Sequence, residues 1–152
     1  MDKKDQQIIR VMQQNGRITN QDLASKVNLS PSPCLRRLRL LEQNGAIQGY
    51  SAEVDAKTYG LPLMVYIHIR LSPHNKEIVH DFESKIKHLD EVLECHLLTG
   101  QSDYLLRVMV AGLDSYEDFV REKIHPIIGI ASIDSSFVYG TIKKTNVFPA
   151  VG

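Results

Sequence analysis

Three guanidinium groups fall close together at Arg36, Arg37 and Arg39, just after the short side chains of Ser30-Pro31-Ser32-Pro33. A guanidinium fork donates two parallel hydrogen bonds to a guanine edge or a phosphate, and short residues let a backbone come near enough for that contact. The chemistry works only if one rigid element presents all of these groups on one side. Residues 30–45 supply it: Ser30 can cap a helix, Pro31 suits its first position, Leu35, Leu38 and Leu41 form an apolar stripe, and Asn44-Gly45 stops it. The opposite side then carries Ser32, Pro33, Arg36, Arg37 and Arg39, with Ser30 at the entry. On an isolated amphipathic helix such arginines are ordinarily a solvated face. Here a shorter helix precedes, capped by Thr19, with Leu23, Ala24 and Val27 at helical spacing and an end near Asn28, and Ala46-Ile47 then turns toward a hairpin. Two short helices joined by a tight turn and followed by a hairpin form a winged helix-turn-helix, whose second helix enters the major groove of DNA.

A second stretch with chemistry is Thr99-Gly100-Gln101-Ser102-Asp103. A Gly-x-x-Asp turn between strands sets backbone N–H groups beside a carboxylate, which suits a zwitterion: its carboxylate accepts from the turn and its ammonium pairs with Asp103. The same spacing is also ordinary turn chemistry, and spacing alone leaves both readings open. The histidines, His68, His74, His80, His88, His96 and His125, show no recurring ligand spacing, so neither metal nor cofactor is expected. Cys95 and His96 adjoin on a strand pattern and point to opposite faces, and Glu83, Asp90, Glu91 and Glu94 read as solvated surface. Without a nucleophile–base pair, a phosphate loop or a metal set, a metabolite-binding enzyme with a helical appendage is the weaker of two function classes. A DNA-binding regulator is the stronger.

The elements that must position these residues fall into two groups. Ile8, Ile9 and Met12 share a face over residues 2–15, with Asp2 and Asp5 in the first turn and Gly16 beyond the end, giving a third helix that covers the other two. Residues 1–50 form this domain and residues 51–62, with weaker periodicity, a linker. From Leu63 the pattern alternates, placing Val65, Ile67, Ile69 and Leu71 on one face and Met64, Tyr66, His68 and Arg70 on the other. A helix from Asn75, strands over Val92 to Thr99 and Tyr104 to Ala111, a helix capped by Asp114 or Ser115 and a strand over Ile133 to Thr145 follow. The order β-α-β-β-α-β over residues 63–152 predicts a ferredoxin-like domain, so the chain is α+β, with helices on one face of an antiparallel sheet. The uncovered face, with Tyr66, Leu105 and Met109, is expected to be buried by a second copy in a symmetric dimer.

Asp2-x-x-Asp5-x-x-Ile8, Gly16-Arg17, Leu29-Ser30, Arg37 with Leu41-Glu42, and Gly45-x-Ile47-x-Gly49-Tyr50 resemble the leucine-responsive and asparagine-responsive (Lrp/AsnC, feast/famine) bacterial transcription regulators. Ser30-Pro31-Ser32-Pro33-Cys34-Leu35 is most similar to the leucine-responsive branch. The resemblance spans the chain and implies that Thr99, Gly100 and Asp103 belong to an effector-binding turn, with Ser135 and Ser136 in a second contributing stretch after Gly129-Ile130. It implies an amino-acid effector, leucine or methionine, held where dimers meet, and a homodimer that assembles into an octamer. The chain departs from the family at Ser135, where threonine is common, and at Ser136, where a larger residue often stands.

Charge agrees with this division. The chain is neutral overall, but residues 1–60 hold nine Lys/Arg against six Asp/Glu and residues 61–152 nine against twelve, so the basic excess lies on the half with the DNA-reading pattern. The two cysteines, Cys34 and Cys95, lie in different halves and read as reduced thiols. No apolar run is long enough for a bilayer and no secretory signal opens the chain, so a cytoplasmic protein with no membrane partner is expected.

Overall fold

The computed structural model describes residues 1–150 and divides into two units, residues 1–53 with the segment from Ile142, and residues 54–141. In the first unit helix α1 spans Lys3–Gln14, α2 Asn20–Lys26 and α3 Pro31–Gln43. Asp2 caps α1 reciprocally: its carboxylate accepts from the Asp5 amide at 2.9 Å, and the Asp5 carboxylate accepts from the Asp2 amide at 2.9 Å. Thr19 caps α2 by accepting from the Asp22 amide at 3.1 Å. Between α2 and α3 the chain reverses at Asn28, which takes a left-handed φ of 53°, a conformation asparagine tolerates. Ile8, Leu23, Ala24, Val27, Cys34 and Leu41 are buried together, with Leu38, Met12 and Ile47 packed around them.

This core corrects the expected stripe on α3. The inward residues are Cys34, Leu38 and Leu41, a proper i, i+4, i+7 set, whereas Leu35 lies outside the cluster. The expected hairpin after α3 is absent: residues 46–50 bend away from the helix without a paired strand, with Ile47 donating to the Leu41 carbonyl at 2.9 Å and Tyr50 donating to the Glu42 carboxylate at 2.8 Å. The unit is completed from the far end of the chain. Arg10 donates to the Phe148 carbonyl at 3.0 Å, Gln13 donates to the Asn146 carbonyl at 2.7 Å, and Phe148 donates its amide to Gln13 at 3.2 Å.

In the second unit a one-turn helix α4, Ala56–Tyr59, capped by Asp55, occupies part of the expected linker. Strand β1 (Leu63–Leu71), helix α5 (Lys76–Ile86), strands β2 (Val92–Leu97) and β3 (Tyr104–Val110), helix α6 (Leu113–Phe119) and strand β4 (Ile130–Phe137) follow. The strands lie in the order β2-β3-β1-β4, all pairs antiparallel, which is the ferredoxin-like sheet. Val65, Ile67, Ile69 and Leu71 of β1 and Tyr104, Leu106, Val108 and Val110 of β3 pack with Phe82 and Ile86 of α5 and Tyr116 and Phe119 of α6, so both helices cover one face. Asn75 caps α5 as its type requires. Helix α6 starts at Leu113, ahead of the expected caps Asp114 and Ser115, and runs on into a wider π turn over Val120–Ile124. Strand β4 ends at Phe137 rather than Thr145, because its partner β1 runs out: Val138 donates the last bond, to the Met64 carbonyl at 3.0 Å.

Arg37 ties α3 to α1, its Nη1 donating to Asp2 at 2.7 Å and to Asp5 at 2.8 Å. The Asp2 carboxyl is held below its ordinary value, first by the Asp5 amide that it caps and then by this guanidinium. A depressed carboxyl contributes stability above its unfolded value and loses it as pH falls through the folded one. Arg37→Met is therefore expected to lower the unfolding midpoint at neutral pH, by a margin that shrinks below about pH 3.9. Thermal melts across pH that showed a constant margin would contradict the clamp. Gly129 has φ +92° and a Cβ there would overlap Cγ2 of Ile78 on α5, so Gly129→Ala should cost about 1–3 kcal/mol, measured by urea unfolding.

Candidate nucleic-acid interface and effector cleft

Burial of Cys34, Leu38 and Leu41 turns the other side of α3 outward. Ser32, Pro33, Arg36, Arg39, Leu40 and Gln43 are exposed there, and Ser32, Leu35, Arg36, Arg39, Leu40 and Gln43 line a shallow depression of about 310 Å³. Ser30 stands exposed at the helix entry and its side chain makes no capping bond. The free N–H groups and the dipole at this end favour a phosphate. Asn20 of α2 donates to the Pro31 carbonyl at 2.9 Å and so fixes the start of α3 against the preceding helix. Arg36 and Arg39 have no carboxylate partner among the described residues.

Arg37 does not belong to this face. The guanidinium expected to contact DNA meets partners within the unit: its Nη1 donates to both Asp2 and Asp5, which raises its affinity for the proton. One position along a helix is a rotation of about 100°, enough to separate Arg37 from Arg36. Leu35, expected in the apolar stripe, lines this depression instead, and Leu40 and Gln43 join it at steps of four and seven from Arg36, the spacing of one side of a helix.

In the second unit, β1 ends beside the turn that joins β2 to β3. Asp103 fixes this junction three ways: its amide donates to the Ile69 carbonyl at 2.9 Å, its carbonyl accepts from Leu98 at 2.8 Å, and its Oδ2 accepts from the Leu71 amide at 2.7 Å. Oδ1 remains available, with Nε2 of His74 at 3.8 Å. Gly100 turns the chain at φ +120°, a conformation that favours glycine. Around this turn lies an open cleft of about 720 Å³, lined by Arg70, Leu71, His74, Gly100, Gln101, Ser102, Asp103, Ser132 and Asp134. It gathers a guanidinium, two carboxylates and an imidazole, opposite charges a few side chains apart.

Gly100 and Asp103 line the cleft, while Thr99 does not. Ser135 and Ser136 do not line this cleft of the single chain. Adjacent strand residues face opposite ways: Ser135 lies level with Ile67 on the helix side and is hydrogen-bonded to the Tyr116 hydroxyl, and Ser136 lies level with Tyr66 on the other side. The β4 residues in the cleft are Ser132 and Asp134, whose alternation with Ile133 was the signal in the sequence. Tyr66, Leu105 and Met109 all lie on the sheet face away from the helices, but Met109 is only 6% exposed and adds little open area. That face is mixed rather than apolar, since Arg107 donates to Glu94 at 2.6 Å in its midst, and the guanidinium, with His96, holds the Glu94 carboxyl below its ordinary value.

Among the described residues no cluster of histidine, cysteine and acidic side chains could hold a metal, and no helix is long and apolar enough to cross a membrane. Residues 1–48 match the winged helix-turn-helix DNA-binding model and residues 64–148 the Lrp/AsnC ligand binding domain. The chain is 35% identical to the transcriptional regulator AzlB of Bacillus subtilis over 98% of this chain and 95% of that protein. It is 36% identical to the leucine-responsive regulatory protein of Haemophilus influenzae over 96% of this chain and 88% of that one. A crystal structure of a transcriptional regulator from Neisseria meningitidis in complex with L-Met superposes with a TM-score of 0.94 at 38% identity, covering 98% of this chain and 96% of the other. Matched in both halves and in the same order, this chain belongs to the Lrp/AsnC family of DNA-binding transcription regulators, which are not enzymes.

Proposed function

We propose that this regulator reads DNA with the outward side of α3 and is controlled by a free amino acid, methionine or leucine, held in the cleft over Gly100 and Asp103. The observation that carries the effector half is the cleft's pairing of opposite charges: Arg70 suits an α-carboxylate, and Asp134 with Oδ1 of Asp103 suits an α-ammonium. A zwitterion is costly to desolvate unless both ends find such partners. Leu71 is the cleft's only large apolar lining residue, so the effector's side chain finds its apolar surface on a second dimer. This agrees with a pocket completed between dimers, with homodimers formed over the sheet face of Tyr66 and Leu105 and assembling into an octamer. The L-Met complex of the Neisseria relative favours methionine. The protein works in the cytoplasm, with its DNA.

In the DNA half, Ser30, Ser32 and Pro33 approach the bases at the helix entry while Arg36 and Arg39 supply the forks. Arg36→Ala and Arg39→Ala should each weaken binding to a promoter fragment in a gel-shift titration. A bidentate guanine contact is worth about 1–3 kcal/mol and its loss relaxes one base position, whereas loss of a phosphate contact weakens all sequences alike. Unchanged affinity in both variants would remove this face from the interface.

Calorimetry across the twenty amino acids is expected to find methionine or leucine as a ligand. Arg70→Gln should lower that affinity about tenfold or more, the worth of one charge-assisted pair. Asp103→Asn keeps an oxygen for the Leu71 amide but removes the charge, so it should lose ligand response while ligand-free DNA binding persists. Wild-type affinity in both variants would place the effector elsewhere.

A further inference from the structure

The chain passes from β1 to α5 through Ser72, Pro73 and His74, and both ends of this turn are tied down. The Ser72 amide donates to the Gly129 carbonyl at 2.8 Å, and Asn75 caps α5 by accepting from the Ile78 amide at 3.0 Å. His74 is thereby held at the wall of the cleft, with Nε2 3.8 Å from Oδ1 of Asp103. Oδ2 of that carboxylate is already committed to the Leu71 amide, so Oδ1 is the oxygen left for a bound ammonium. An imidazole therefore stands at the atom that the effector's ammonium must reach.

The charged groups that share the cleft with His74 are Arg70 from β1, Asp103 from the β2–β3 turn and Asp134 from β4. With a neutral imidazole the lining carries one cation against two carboxylates, a net charge of −1 that suits an incoming ammonium. The neutral ring also has an acceptor nitrogen that an ammonium can use. Protonation cancels the net charge and sets a second cation beside Oδ1. In the open cleft that ion pair is itself weak, because the His74 side chain is 56% exposed. Its effect on a ligand is larger, since two cations within about 4–6 Å disfavour one another and the effector displaces the water that would screen them.

Taking the effector to sit over Gly100 and Asp103 as in the proposed function, we propose that His74 gates the site by charge. The cleft admits the amino acid while the imidazole is neutral and releases it when the imidazole is protonated, so occupancy follows acidity as well as the amino-acid level. By linkage, a ligand that excludes a proton is weakened by that proton, so affinity falls as pH falls through the range in which histidine gains its charge. A free amino acid stays a zwitterion across that range, and the change belongs to the protein. His68 lies level with Asp134 in the β1–β4 register but does not line the cleft, which makes it the control.

Calorimetry on the full-length protein with L-methionine and L-leucine, at pH 8 and pH 5.5 and one ionic strength, reads the gate. The neutral fraction of an ordinary imidazole falls about tenfold between these values, and the wild-type affinity is expected to fall about tenfold with it. His74→Gln, which cannot charge, should bind with one affinity at both pH values. His74→Lys, charged at both, should bind weakly at both, and His68→Gln should keep the wild-type fall, each with an unchanged circular dichroism spectrum. A wild-type affinity that does not change with pH, or a fall that His74→Gln retains or His68→Gln abolishes, overturns the gate and leaves the effector site standing. Absence of binding by both amino acids to the wild type at pH 8 removes the site itself, and the gate with it.

Discussion

The second unit depends on the strict alternation of β1. Four apolar residues at every second position, Val65, Ile67, Ile69 and Leu71, must enter the core together, and a slip of one residue would expose all of them. That register then decides what the other face presents. Tyr66 and His68 are forced onto the open side, Arg70 is delivered to the end of the strand where the β2–β3 turn comes alongside, and Leu71 is placed to donate to Asp103. The cleft is therefore a by-product of core packing: its charged residues stand where they do because their neighbours are buried.

In the helical unit a similar economy divides three neighbouring arginines between two tasks. Arg37 faces the first turn of α1, where a capping box already concentrates two carboxylates, and its guanidinium satisfies both. Arg36 and Arg39 are rotated away, without an acidic partner among the described residues, and remain available to an external anion. A clamp of this kind between partly exposed groups contributes modestly to stability, but it fixes the angle at which α3 meets α1 and so the direction in which the free forks project.

The chain crosses between the two units twice, after Glu53 and before Ile142. Strand β4 contributes Ser132 and Asp134 to the cleft beside the β2–β3 turn, and in the segment that follows it Asn146 and Phe148 are hydrogen-bonded to α1.

Much of this was readable from residues alone. Period-two patterning marked β1 and β3, Asp2, Thr19, Asn75 and Pro31 marked helix starts through their hydrogen-bonding chemistry, and the order of elements carried the ferredoxin-like topology, because each of these is set by local sterics and by which side chains avoid water. What only the tertiary structure decided was partnership across sequence distance. Nothing in the local sequence announces that Arg37 meets Asp2 and Asp5, that Cys34 rather than Leu35 packs against Ile8 and Leu23 in the core, or that Ser135 is turned toward Tyr116 by the register that β4 takes against β1. The end of β4 and the return of the last residues to α1 follow from where other strands stop and other donors stand. Local preference fixes a residue's conformation, but a side chain's role depends on which distant group meets it, and that distance is settled only when the whole core packs.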